Sequence, residues 1–197
     1  MKLNNSFSDY RKLEKYFLAN KEEFIESLKK SLDDKISHLN SFFGCDVDKY
    51  FSGCGTQDAA ARGAFLGKAM EVSIKKALSD CCMNRLEMVD ANGYDIMFDE
   101  KIPLEVKSSG SSLPGFTGNK YSTKVDNYMF IKYTIKNGKI DGLFISMVHM
   151  PLMSNGFTSN ENAGFSSYKI KSEDIRKVSL LYGNLKANRI YAKELVI

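Results

Sequence analysis

Apolar positions in the first part of the chain follow a helical period. Every fourth residue of one stretch is apolar: Phe24, Leu28, Leu32 and Ile36. This spacing places the four side chains on one face of a helix. Asn20 precedes the stretch and is followed by Lys21-Glu22-Glu23, which is typical of an N-cap with a carboxylate at the third helical position. The pattern predicts a helix that ends near Phe43, within an N-terminal helical segment, residues 1–44.

A second long helix is predicted over residues 57–81. One stripe follows it at steps of four and three: Ala60, Ala64, Gly67, Glu71, Ile74 and Leu78. All members of the stripe are small or apolar except Glu71, whose carboxylate stands where a core residue is expected. Because an unpaired buried carboxylate is costly, Glu71 either pairs with Lys75 or Arg85 or supports a functional site.

The pattern then changes to that of strands. Three short runs are separated by turn signals and predict a meander of strands: residues 85–89, 94–98 and 102–107. Asn92-Gly93 is the tight-turn signal between the first two. Two longer apolar runs, residues 128–135 and 140–148, flank Asn137-Gly138 and predict a hairpin.

The remaining segments are rich in serine, asparagine and glycine. Residues 108–118 and 151–167 are predicted to be loops. Ser172 is predicted to cap a short helix that ends at Gly183, and residues 190–197 could form a last strand. The order of these elements predicts a single α/β (α+β) domain, in which helices flank one central mixed sheet of five strands.

The third strand of the meander carries the candidate chemistry. Side chains alternate between the two faces of a strand, so Glu105 and Lys107 share one face while Leu104 and Val106 form the apolar face. Asp95 lies on the preceding strand, and a short turn brings it next to Glu105. Two neighbouring carboxylates repel each other and are best tolerated with a cation between them.

The ligand types at this position favour magnesium. Oxygen ligands without nearby histidine or cysteine suit Mg²⁺ better than Zn²⁺. A bound Mg²⁺ can polarise a phosphate oxygen and lower the pKa of a bound water. Lys107 would stand beside the metal, where it could hold the attacking water or stabilise charge on the phosphate. This set of groups suits hydrolysis of a phosphodiester bond.

An acid two residues before a lysine is by itself a weak pattern. It also occurs at Asp33-x-Lys35, in a predicted helix, and at Asp99-x-Lys101, in a predicted turn. Glu105-x-Lys107 differs because it lies in a strand and follows an aspartate on the neighbouring strand. The alternative is that these residues form a solvated strand face with one surface salt bridge of little energetic value.

Composition limits the functional class only loosely. Hydrophobic residues make up 43% and charged residues 26% of the 197 residues, which is ordinary for a globular protein. A net charge of +4 permits binding of nucleic acid without demanding it. The four cysteines form no CxxC pair, which disfavours a zinc site. We expect a cytoplasmic protein without a membrane span, because no apolar run reaches that length and the first residues lack an apolar signal stretch.

The same residues resemble a known nuclease signature. Gly93-Tyr94-Asp95, followed by Pro103-Leu104-Glu105-Val106-Lys107-Ser108-Ser109, is similar to the motif of the PD-(D/E)xK superfamily. That superfamily includes type II restriction endonucleases, mismatch-repair nickases and junction resolvases. The resemblance covers residues 57–150 and implies a restriction-endonuclease-like catalytic core, with residues 151–197 as a C-terminal loop, helix and strand.

The resemblance implies specific roles in a metal site. By analogy with the family, Asp95, Glu105 and the backbone carbonyl of Val106 would bind Mg²⁺, with Lys107 catalytic. Glu71 takes the place of a helix glutamate that often supports the family's metal site. Two features depart from the pattern. Tyr94 stands where many members have proline, and the segment after Lys107 shows no clear helix, although residues 120–127 could form a short one.

These inferences predict a sequence-specific type II restriction endonuclease that hydrolyses double-stranded DNA with Mg²⁺. The small size favours a homodimer that cuts both strands of a palindrome, with the helices before Cys45 as candidates for dimerisation. A repair nickase or Holliday-junction resolvase is the alternative within the superfamily, and a non-catalytic DNA-binding protein the alternative outside it. The segment after the catalytic strand either only connects elements or contacts DNA through five residues: Ser108, Ser109, Asn119, Lys120 and Lys124.

Overall fold

The computed structural model describes most of the chain, in these ranges: residues 5–51, 56–81, 85–91, 94–110, 115–119, 125–160, 165–186, 189–191 and 193–194. Its helices are α1 (Phe7–Ala19), α2 (Lys21–Phe43), α3 (Val47–Tyr50) and α4 (Thr56–Cys81). Its first six strands are β1 (Leu86–Ala91), β2 (Tyr94–Phe98), β3 (Ile102–Ser109), β4 (Gly115–Asn119), β5 (Asn127–Lys136) and β6 (Lys139–His149). The later strands are β7 (Thr158–Asn160), β8 (Phe165–Lys169), β9 (Ser179–Tyr182), β10 (Asn184–Lys186), β11 (Arg189–Tyr191) and β12 (Lys193–Glu194).

Seven of the described strands form the main sheet, in the order β1-β2-β3-β5-β6-β12, with β9 also paired to β6. β3 and β5 are parallel, and the other described pairs of this sheet are antiparallel. The predicted α+β architecture, a mixed sheet flanked by helices, is therefore confirmed. The sheet exceeds the expected five strands because β9 and β12 both pair with the outer edge of β6.

The helices cover one face of the main sheet. The side chains that α4 buries there recur at helical spacing: Leu66, Met70, Ile74, Ala77 and Leu78. They join buried residues of α1 and α2 and the inward side chains of β3 and β5 in one core. Burial of each large apolar side chain stabilises the fold by about 1.5–3 kcal/mol. Within the described ranges no helix has the length and apolar character needed to span a membrane.

A second, three-stranded sheet covers part of the opposite face. It has the order β4-β8-β7, and Phe116 of β4 stacks on Phe130 of β5 with ring centroids 4.3 Å apart. The prediction of loops over residues 108–118 and 151–167 is therefore wrong in part. Pairing of β4 with β8 joins segments about 50 residues apart, and such long-range pairing can override a composition rich in serine and glycine. Between the parallel strands β3 and β5, the described residues 115–119 are strand, not helix.

Asn20 is the N-cap residue of α2, as predicted, and Glu23 lies at the third helical position. The side chain of Asn20 does not cap that helix, because it donates to the backbone oxygen of Tyr16, 2.8 Å away, at the end of α1. The cap predicted at Ser172 is wrong. Ser172 begins a short 3-10 helix, Ser172–Lys177, whose N-cap residue is Lys171. The predicted helix therefore ends six residues before Gly183, because the intervening strand β9 gains ladder hydrogen bonds to β6.

The predicted hairpin is confirmed, and its turn is fixed by the helical layer. Asn137 and Gly138 both have positive φ, 51° and 67°, as the tight turns of two-residue hairpins require. The carboxylate of Asp48 in α3 accepts hydrogen bonds from the backbone N–H groups of Asn137 and Gly138, at 3.2 and 2.9 Å. A Cβ on Gly138 would lie 2.6 Å from Asp46 Oδ1. The turn thus needs glycine for both conformation and space.

We expect Asp48→Ala to lower the free energy of unfolding by about 1 kcal/mol, since it removes a charged acceptor from two backbone donors. Chemical denaturation monitored by circular dichroism measures the change. Asp141→Ala is the matched control, because Asp141 is exposed on the same hairpin. Equal stability of the Asp48 variant and the wild type would show that the turn does not depend on this contact.

A lysine is buried between the two sheets. Lys132 of β5 is 3% exposed, and its Nζ lies 4.8 Å from the centre of the Phe116 ring. Burial disfavours the ammonium form and lowers the pKa of Lys132 to about 8. The ammonium lies near the face of that ring, which is a favourable cation–π contact. Because burial lowers the pKa, keeping Lys132 protonated in the folded state at neutral pH costs stability.

We predict that Lys132→Met raises the free energy of unfolding at pH 7 by about 1–3 kcal/mol. In the unfolded chain Lys132 titrates near its ordinary pKa of 10.5. A lowered folded-state pKa means that the wild type gains stability as the pH rises from about 8 toward 10.5. The variant should lack that gain. Denaturant unfolding of both proteins between pH 7 and pH 9.5 tests this, and a less stable variant at pH 7 would contradict it.

Candidate active site

The predicted acids lie where β2 and β3 part. Backbone pairing between the two strands runs from Phe98–Ile102 to Ile96–Leu104, and Asp95 is the next residue along β2. Its Oδ2 accepts a hydrogen bond of 2.9 Å from the backbone N–H of Val106. A side-chain oxygen of β2 thus accepts the hydrogen bond of a β3 N–H group that lies just beyond the residues paired between the two strands. This contact holds the Asp95 carboxylate beside the strand that carries Glu105.

The alternation predicted for β3 is confirmed. Glu105 accepts a hydrogen bond from the ammonium of Lys107 on the same face, while Leu104 and Val106 are buried in the helical core. The Glu105 and Lys107 side chains are 8% and 13% exposed. On the parallel neighbour β5, Tyr128 is the register partner of Glu105. Glu105 and Lys107 are therefore a largely buried pair, not the solvated surface salt bridge of the alternative interpretation.

Helix α4 adds a second lysine that the sequence had not assigned to the site. Lys75 Nζ lies 2.9 Å from Asp95 Oδ1 and 3.1 Å from Glu71 Oε1. Lys68 Nζ lies 3.0 Å from Glu71 on its other side. Of the two partners considered for Glu71, Lys75 is thus the one observed, since Arg85 pairs with Asp99 instead.

Glu71 itself lies at the border of the α4 stripe, not inside the core. Its side chain is 34% exposed, whereas Ile74 is fully buried. The expectation of a carboxylate in a core position is therefore corrected. Glu71 is linked to Asp95 through the ammonium of Lys75. The available signal for Lys75 was its position four residues after Glu71, a spacing that places side chains next to each other on a helix.

Each carboxylate of this cluster contacts at least one ammonium group. Three carboxylates and three ammonium groups of the described side chains take part: Lys68, Glu71, Lys75, Asp95, Glu105 and Lys107. Burial, together with the negative charge of Asp95, raises the pKa of Glu105 despite the opposing effect of Lys107. Burial alone would lower the pKa of Lys75, but the hydrogen bonds and charges of Asp95 and Glu71 outweigh it and raise that pKa.

The ligand set predicted for Mg²⁺ fits these groups chemically. Asp95 and Glu105 are carboxylates on neighbouring strands, and Val106 between Glu105 and Lys107 contributes a backbone carbonyl. Mg²⁺ sites in proteins commonly use only one or two carboxylates together with water and phosphate oxygens. Among the described residues no group of three or more His, Cys, Asp or Glu side chains is placed to hold a metal ion. A metal site here would therefore rely on two acids.

The solvent exposure of the charged side chains in the cluster increases toward α4. The exposed fraction of the side chain is 17% for Asp95 and 27% for Lys75, both above the value for Glu105.

A separate cavity of about 380 Å³ between α2 and α4 is lined mainly by charged residues: Glu23, Glu26, Asp34, Asp80, Lys30 and Lys76. Its excess of carboxylates disfavours binding of a phosphate backbone. The predicted site residues do not line that cavity.

The residues predicted to contact DNA have different positions. Ser108 and Ser109 are the last residues of β3, directly after Lys107, and both are partly exposed. Asn119 ends β4 and pairs with Phe165 of β8, so it belongs to the second sheet and not to a loop. Three predicted features lie outside the described residues: the Asn92-Gly93 turn, Lys120 and Lys124.

Tyr128 is a further residue that the sequence did not assign to the site. It is buried, and its hydroxyl has no hydrogen-bond partner among the described residues. Burial and the nearby charge of Glu105 raise the pKa of Tyr128, so the phenol remains a protonated donor beside that carboxylate. The sequence offered only an apolar strand here, because alternation alone cannot tell which strand pairs with β3.

The chain matches no known family model, and no curated protein matches it.

Proposed function

We propose that this protein is a Mg²⁺-dependent endonuclease that hydrolyses phosphodiester bonds of DNA. The proposal is carried by one observation. Asp95 is hydrogen-bonded to the backbone between Glu105 and Lys107, so two carboxylates and an amine converge where two strands separate. Such a set combines oxygen ligands for a hard cation with a positive group for a phosphate.

The three acids of the cluster, the carbonyl of Val106 and Lys107 receive roles in this proposal. Asp95, Glu105 and the carbonyl of Val106 would hold Mg²⁺, which supplies polarisation of the phosphate and a more acidic bound water. Lys107 would leave Glu105 and direct its ammonium to the attacking water or to the charge developing on the phosphate. Glu71 would act indirectly, because it contacts the lysine that contacts Asp95.

A purely structural role explains the cluster less well. Removing charges from water carries a penalty that a buried ion pair often fails to recover, so apolar residues would stabilise this position at least as well. Glu105 and Lys107 nevertheless lie largely enclosed beside a third charged group, Asp95. Retaining charges at such a cost is expected of a functional site. A non-catalytic DNA-binding protein would need the net positive charge but not this arrangement.

The finer proposal is a type II restriction endonuclease acting as a homodimer. Phe42, near the end of α2, is 82% exposed and contacts Phe43 with ring centroids 5.2 Å apart. Tyr50 and Phe65 add exposed aromatic area around Phe43. This aromatic patch combines the end of α2 with residues of α3 and α4. It supports dimerisation that involves the helices before Cys45, since contiguous exposed apolar surface commonly marks an interface. Such a dimer could cut both strands of a palindromic site.

Cleavage of plasmid and phage DNA tests the proposed chemistry. We expect Mg²⁺-dependent cutting that EDTA abolishes, and a loss of at least about 100-fold for Asp95→Asn, Glu105→Gln and Lys107→Met. Lys101→Met is the matched control, because Lys101 also follows an acid by two residues but is exposed in a turn. Circular dichroism verifies that each variant is folded. Cutting by Lys107→Met at the wild-type rate would remove Lys107 from the mechanism, and inactivity on every DNA substrate would reject the proposal.

The form of the substrate separates the alternatives within this chemistry. A restriction endonuclease gives discrete fragments from linear phage DNA. Preferential cutting of a four-way junction or nicking of mismatched duplex would instead favour the resolvase or nickase alternative.

Sedimentation measurements test the dimer separately. We expect the wild type to sediment as a dimer at micromolar concentration and Phe42→Ser to shift toward monomer, because the substitution removes apolar area from the aromatic patch. Leu152→Ser is the matched control, since Leu152 is also exposed but lies in a short 3-10 helix after β6. A monomeric wild type would contradict the dimer without affecting the proposed chemistry.

A further inference from the structure

Each of the two carboxylates proposed to bind metal already holds an ammonium group. Lys107 contacts Glu105, and Lys75 contacts Asp95. We propose that Lys75 is a built-in counter-ion of Asp95, which a divalent cation must displace, so that Lys75 sets the metal affinity of the site. This inference rests on the proposed function, because it assumes that Asp95 is a metal ligand.

Lys75 is placed between two carboxylates. Its Nζ contacts Asp95 Oδ1 at 2.9 Å and Glu71 Oε1 at 3.1 Å. The other oxygen of Asp95, Oδ2, is engaged by the N–H of Val106. The lysine therefore occupies the Asp95 oxygen that does not bind the backbone. A cation approaching that oxygen meets an ammonium already in place.

Glu71 supplies a position to which the displaced lysine can withdraw. Lys75 and Glu71 are four residues apart on α4, a spacing at which their side chains meet on one helix face. When Asp95 binds a divalent cation, the ammonium can keep its contact with Glu71 and remain protonated. Exchange then needs a side-chain rotation and no movement of the helix.

Lys75 and Lys107 differ in whether they lie on the same secondary-structure element as the carboxylate that they contact. Lys107 belongs to β3, the same strand as its partner Glu105, and any shift of that strand moves both. Lys75 belongs to α4 and joins the helix to Asp95 on β2. Its removal thus takes away a positive charge next to the metal ligand while leaving the strand pair in place. The predicted result is tighter metal binding, the opposite of what loss of a ligand or of a structural contact would cause.

Direct binding of Mn²⁺ tests the inference without DNA and without an activity measurement. Mn²⁺ takes the same oxygen ligands as Mg²⁺ and is paramagnetic, so electron paramagnetic resonance measures the free ion in titrations of the full-length protein. For Lys75→Met we expect a dissociation constant about tenfold lower than that of the wild type. Lys75→Arg keeps the charge and should bind Mn²⁺ like the wild type.

A matched variant controls for the overall loss of positive charge. Lys76 neighbours Lys75 in sequence but lines the cavity between α2 and α4. Lys76→Met should change the Mn²⁺ affinity by less than about threefold, since longer-range exposed charges are screened by salt. Its thermal midpoint in EDTA, measured beside that of Lys75→Met, verifies folding.

The outcomes separate this inference from the proposed function. Tighter binding by Lys75→Met alone supports the counter-ion role. Binding that is unchanged or weaker in Lys75→Met, while Asp95→Asn abolishes it, overturns the counter-ion role and leaves the metal site intact. Absence of Mn²⁺ binding in the wild type and in Lys75→Met overturns both. A rise in thermal midpoint on adding Mn²⁺ that is larger for Lys75→Met than for the wild type is the second readout.

Discussion

The position of Asp95 in the charged cluster depends on the hydrogen bond that the Val106 N–H donates to its carboxylate. This contact lies just past the last paired residues of β2 and β3, where an N–H would otherwise lose its ladder partner. It fixes the Asp95 carboxylate beside Glu105, and the second oxygen of the same carboxylate anchors α4 through Lys75. The Asp95 side chain thus contacts both the neighbouring strand and the helix.

Sequence periodicity predicted the parts of this structure that local rules control. Alternation along β3 separated Glu105 and Lys107 from Leu104 and Val106, and Asn137-Gly138 specified a hairpin because few other residue pairs adopt two positive φ angles. The long-range features were not predictable in the same way. β4 pairs with β8 across about 50 residues, and neither the glycine-rich β4 nor β8, with its two adjacent serines, shows an alternation that would reveal the pairing.

The candidate site also combines contacts that local sequence rules predict with a contact that depends on tertiary packing. The acids and the lysine of β3 share one meander, so their convergence follows from short turns and register. Lys75 lies 20 residues earlier in the chain, on a helix whose rotation relative to β2 is set by packing of Ile74 and Leu78 into the core. A sequence can show that Lys75 reaches Glu71, four residues away. It cannot show that the same ammonium also reaches Asp95, because that contact depends on tertiary packing.

The charge balance of the cluster lets the protein hold Asp95 and Glu105 close together without a bound cation. Burial, and to a lesser extent the nearby Asp95, raises the pKa of Glu105, so the two carboxylates would destabilise the fold if they were left without cationic partners. Lysines on separate elements neutralise them, Lys75 from α4 and Lys107 from β3. If Asp95 binds a divalent ion, as proposed, the same lysines would oppose its entry. Stability without metal and high affinity for metal would then be competing demands on Asp95, and the helix that contributes Lys75 would determine the compromise between them.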